Sequence, residues 1–78
     1  MENTKEFYLK VGVNIRKKRL EKGIKQIDLA YDIDVRRQVM YRIEKGGINL
    51  TLNTLCKLAT ALGTTPADLI DVQSPLAP

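Results

Sequence analysis

Hydrophobic side chains recur at helical intervals along most of the chain, and the runs break at Gly23, Gly46 and Gly63. Residues 5–22 contain no proline, and Phe7, Val11 and Ile15 stand at i, i+4 and i+8, one face of an α-helix. A second strip, Leu9, Val13 and Leu20, flanks Gly12 and Arg16 and makes the apolar arc wider than one packing partner needs. So wide a stripe predicts a helix at the centre of a small bundle; the alternative is that Leu9 or Val13 meets a second subunit. Gly23, just after Lys22, has the character of a left-handed helix stop. A short helix over residues 26–32 follows, with Ile27, Leu29, Ala30 and Ile33 as its packed face and Asp34 in the turn beyond it.

Over residues 36–44, at 100° per residue, Val39, Met40 and Ile43 fall on one arc and Arg37, Gln38, Tyr41 and Arg42 on the other. One face suits a core and the other suits base edges and phosphates. Lys45, Gly46 and Gly47 close this third helix, as a stop and not a phosphate-cradling loop, and residues 48–50 form a loop. Thr51 is placed to cap a fourth helix whose Leu52, Leu55, Ala59 and Leu62 repeat at i, i+3, i+7 and i+10, with Leu58 and a core Cys56 beside them, ending at Gly63. Thr65-Pro66-Ala67-Asp68 is a compact start for a short fifth helix over residues 66–71. The expected architecture is an all-α, five-helix bundle spanning residues 1–72, with a mobile tail over 73–78.

Two helices joined by a tight turn, the second with a basic exposed face, form the helix-turn-helix pattern, in which the second helix enters the DNA major groove. Arg reads guanine O6 and N7, and Gln reads adenine N6 and N7. Arg36, Arg37 and Gln38 are therefore the expected base contacts.

Charge changes the picture by locating the partner. The net charge is +4, and twelve of the thirteen Lys and Arg lie in residues 1–45, the half holding the motif. That distribution suits a polyanion. Lys10, Arg16, Lys17, Lys18 and Lys22 read as a solvated basic face, whereas Asp28 and Asp32 turn part of the second helix away from DNA. With no His and a single Cys, the chain offers no zinc site, catalytic imidazole or internal disulfide, so no enzyme activity, metal or cofactor is expected. No apolar run reaches the ~20 residues of a membrane span, and MENTKEF lacks the basic-then-apolar layout of a signal peptide, so a cytosolic protein is expected.

The segments IRKKRLEKGIKQIDLA, VRRQVMYRIEKG and LNTLCKLATALGTTPADLI resemble the Xre and phage-repressor/Cro family of helix-turn-helix proteins over about residues 11–70. The resemblance implies a repressor-like domain that regulates transcription, acting as a dimer on a partly palindromic operator. It implies that Gln26 contacts the DNA backbone and braces the recognition helix, that Arg36, Arg37, Gln38, Tyr41 and Arg42 occupy recognition-helix positions, and that Lys45 and Asn49 lie near a loop that meets a phosphate. Lys25, Tyr41 and Arg42 are further expected contacts, to the backbone or mixed. It further implies an internal salt bridge between Arg19 and Glu44. Independently, Arg19 projects into the apolar arc of the first helix, where a guanidinium needs a carboxylate.

The sequence departs from the family pattern at Lys25, Asp34 and Arg36, where small cap residues and a glycine are usual. Arg36 and Arg37 sit at the positive end of a helix dipole, a placement that a bound phosphate or guanine would offset. Surplus apolar residues at Ile48, Leu50, Leu69 and Val72 motivate the homodimer. The alternative function is an antitoxin-like module that holds a toxin or other protein; a further one, nonspecific DNA packaging, predicts a steep salt dependence without a preferred site. No small-molecule ligand is evident.

Overall fold

The computed structural model describes residues 4–72, to which the expected tail at 73–78 is external. Over them run α1 (Thr4–Glu21), α2 (Gln26–Asp32), α3 (Arg37–Lys45), α4 (Leu52–Leu62) and α5 (Pro66–Leu69), with no strand among the described residues. The core draws Val11 and Ile15 from α1, Leu29 and Ala30 from α2, and Met40 and Ile43 from α3. Leu55, Leu58, Ala59 and Leu62 of α4, Leu69 of α5 and Ile33 complete it. α1 packs against α3, α4 and α5, and α2 packs against α3 and α4.

Helix ends are encoded locally. Thr51 and Thr65 each accept a hydrogen bond from the backbone N–H three residues on, at 3.1 and 3.2 Å. At their C-termini α1, α3 and α4 end in the same paired bonds, for example Gly46 N–H to Ile43 O and Gly47 N–H to Arg42 O, around a glycine with positive φ. α2 ends in the same paired pattern around Asp34, whose φ of 60° makes it the one non-glycine left-handed residue among those described. Asp34 is thus the stop of α2, and the N-cap of α3 falls to Arg36, which lies outside the helix.

α1 and α3 approach closely enough to exclude a side chain between them. A methyl group on Gly12 would lie 2.5 Å from the Glu44 carbonyl oxygen, and one on Gly46 would lie 2.5 Å from the Leu9 Cα. Gly12→Ala must therefore push α3 away from α1. A loss of about 1–3 kcal/mol, or roughly 4–8 °C of melting temperature per kcal/mol, is expected by thermal denaturation. An unchanged melt would show the contact to be loose.

Several apolar positions are less buried than their periodicity predicts. Leu9, Val13 and Leu20 are half exposed, because they lie on the far side of Gly12 from the buried Val11 and Ile15. α1 is central in its contacts, yet that strip is not core. Cys56 is exposed, not core: at ~100° per residue it falls outside the arc of Leu55, Leu58, Ala59 and Leu62. Ile27 is exposed for the same reason on α2, and Leu52 because it sits in the first turn of α4. Leu69, counted above among surplus residues, is fully buried. α5 stops at Leu69 and not at 71; the Asn14 side-chain amide donates to the carbonyls of Leu69 and Asp71 at 3.0 and 3.3 Å, tying this turn to α1.

Candidate nucleic-acid interface

α3 buries Met40, Ile43 and Glu44 and exposes Arg37, Gln38, Tyr41 and Arg42. These four, with half-buried Gln26 from the start of α2, line one open depression of about 340 Å³. The two helices of the motif thus contribute to a single surface. Lys25, Arg36 and Asn49 are exposed but do not line it. Lys25 and Arg36 are the N-caps of α2 and α3, both extended in backbone and neither bonding a helical N–H with its side chain. Lys45, in the last turn of α3, sets its ammonium 5.6 Å from the centroid of the Tyr41 ring, a cation–π distance.

Behind this surface lies a buried polar cluster. Arg19 Nε donates to Glu44 Oε2 at 2.7 Å and a second guanidinium nitrogen donates to Oε1 at 3.1 Å, so the fork grips the carboxylate with both arms. The third nitrogen donates to the Ile24 carbonyl at 2.9 Å, in the turn between α1 and α2. Gln26 Nε2 donates to Glu44 Oε1 at 3.1 Å. Arg19 and Glu44 are both buried. One carboxylate on α3 is thereby held from α1 and from the first residue of α2, which fixes the recognition helix against both neighbours. Sequence reasoning named all three residues but missed Asn14; the lone Asn between the apolar Val13 and Ile15 was the available signal.

The Cro/C1-type helix-turn-helix DNA-binding domain matches residues 14–75. This chain belongs to that family. In such a domain the second helix of the motif enters the DNA major groove, and the chain is accordingly a helix-turn-helix DNA-binding regulator. The chain is 36% identical over 69 residues to the control protein C.BamHI of Bacillus amyloliquefaciens, covering 87% of this chain and 85% of that protein. The restriction-modification controller protein C.AhdI of Aeromonas hydrophila superposes with a TM-score of 0.77 at 35% identity, over 80% of this chain and 94% of that one. The clp gene regulator ClgR of Corynebacterium glutamicum superposes at 0.80 with 25% identity, over 82% of each chain. No helix among the described residues is long and apolar enough to cross a membrane.

Proposed function

We propose that this Cro/C1-type protein is a sequence-specific controller of transcription that reads duplex DNA as a homodimer, in the manner of a restriction-modification controller. The observation that carries the reading is the exposed Arg37, Gln38, Tyr41 and Arg42 face on a helix whose opposite side is locked by Glu44. Arg36, Arg37 and Gln38 read base edges in the major groove, while Lys25, Gln26, Tyr41, Arg42, Lys45 and Asn49 position the DNA backbone. The similarity to two controller proteins at 35% and 36% identity favours that context over a phage or antitoxin one. The protein works in the cytosol, where its DNA is, and has no enzymatic role. Leu52 and Ile70, exposed on the α4 and α5 side, offer the apolar surface for a partner copy.

Selection of bound duplexes from a random DNA pool, followed by titration of the winner and a scrambled duplex at two salt concentrations, tests this reading. A symmetric site with half-sites about 34–36 Å apart, bound at least ~10³-fold more tightly than the scramble, is the expected result. Equal, salt-sensitive binding to both would overturn sequence-specific control.

Arg36 gives a second check, because its placement opposes stability. A cation at the N-terminus of α3 costs about 0.3–1 kcal/mol and an absent side-chain cap costs about 1. Arg36→Ser supplies the cap and removes the charge. It should raise thermal stability by ~1 kcal/mol while weakening binding to the selected duplex. A variant that is stabilised without loss of affinity would remove Arg36 from the interface.

A further inference from the structure

A groove of about 800 Å³ runs along the outer side of α1 where it meets α3. Its aliphatic lining is the half-exposed strip Leu9, Val13 and Leu20, and its exposed cationic lining is Arg16, Lys17, Arg37 and Lys45. Among the described residues the one carboxylate in it is Glu44, which is occupied by Arg19 and Gln26. We propose that this groove receives an acidic, amphipathic helical segment of a protein partner, and that its occupation excludes DNA.

The apolar strip decides the occupant's class. Leu9 to Leu20 spans eleven residues, about 16 Å at the helical rise, enough for three turns of a second helix laid alongside. Phosphates placed there would meet three aliphatic side chains, whereas leucines at i, i+4, i+7 and i+11 would bury them and leave flanking carboxylates opposite Arg16, Lys17 and Arg37. A second copy of this chain is a poor fit. A two-fold contact through this face would set the four exposed cations against their own counterparts. Residues 73–78 supply one large apolar side chain, Leu76, and no acidic one.

Exclusion follows because Arg37 lines both the groove and the α3 depression, as do Tyr41 and Gln26. This half of the proposal rests on the DNA-reading role given to Arg37; the docking half does not.

The test uses the full chain and two synthetic helical peptides of three to four turns, with leucines at those four positions and either Glu or Lys flanking them. Direct calorimetric titration without DNA should show binding of the Glu peptide alone. Val13→Gln with Leu20→Gln should weaken it by about tenfold or more while leaving helical circular dichroism and operator affinity intact. Arg16→Glu with Lys17→Glu should abolish it, a second route if the first variant unfolds. The Glu peptide should also displace the selected duplex in fluorescence anisotropy. Binding of neither peptide, equal binding of both, or indifference to the Gln variant would overturn docking. So would self-association that the Gln variant abolishes, which assigns the groove to a second copy, or a loss of operator affinity in that variant, which assigns it to DNA. Peptide binding without displacement would overturn the exclusion alone.

Discussion

Glu44→Ala is expected to destabilise the domain by about 3–5 kcal/mol, a fall of roughly 12 °C or more in melting temperature for a chain of this size. The loss is large because of what stays behind. Arg19 is buried, with its guanidinium fixed by the Ile24 carbonyl on one side and Glu44 on the other, so removing the carboxylate leaves a desolvated cation facing nothing of opposite sign. Gln26 loses its acceptor in the same step. Replacing both charges tells the two contributions apart. Arg19→Met with Glu44→Leu fills similar volume without a charge and should recover most or all of the stability, since a buried ion pair is often no better than apolar packing. The double variant should nonetheless bind operator less well, because Gln26 is no longer held. A melt unchanged by Glu44→Ala would show that water reaches the pair.

Arg37→Ala combined with Gln38→Ala has the second large effect, on recognition and not on folding. Both side chains are exposed on α3, so the helical circular dichroism and the melting temperature should stay close to those of the parent protein. Each bidentate contact between side chain and base contributes ~1–3 kcal/mol of discrimination. Loss of both should cut the preference for the selected duplex over its scramble by roughly 30-fold or more, while much of the salt-dependent, phosphate-driven affinity survives through the remaining cations. If the preference persists, α3 does not read the bases.

The bundle was largely legible from the sequence because its signals are local. Thr51 and Thr65 bond the backbone N–H groups of Thr54 and Asp68, within three residues of themselves, and Gly23, Gly46 and Gly63 stop helices through bonds that span six. Arg19 was informative for a different reason: a guanidinium in an apolar arc demands a carboxylate, and Glu44 stands in that place. What periodicity lacks is the width of the neighbour. It gave α1 a broad apolar arc, but Leu9, Val13 and Leu20 lie on the opposite side of Gly12 from Val11 and Ile15 and remain half exposed. Cys56 and Ile27 were misplaced likewise, each just outside the buried stripe of its helix. The tie between the end of α5 and α1 was also beyond reach, since Asn14, which bonds the carbonyls of Leu69 and Asp71, is distant in sequence. At the interface, residue types indicated a reading face, but the convergence of Gln26 with the α3 side chains on one depression needed the tertiary structure.

The repeated helix stop has a kinetic meaning. Four of the five helices end in the same paired backbone bonds, each completed within six consecutive residues. Every one of these reversals can therefore form before any distant contact exists, and the loops left to close are short. Domains built this way have low contact order and reach the native state in microseconds to milliseconds, with little time spent exposing apolar surface. For a DNA-binding regulator, the interval between release of the chain and competence to bind is then set by finding DNA, and not by the search for a fold.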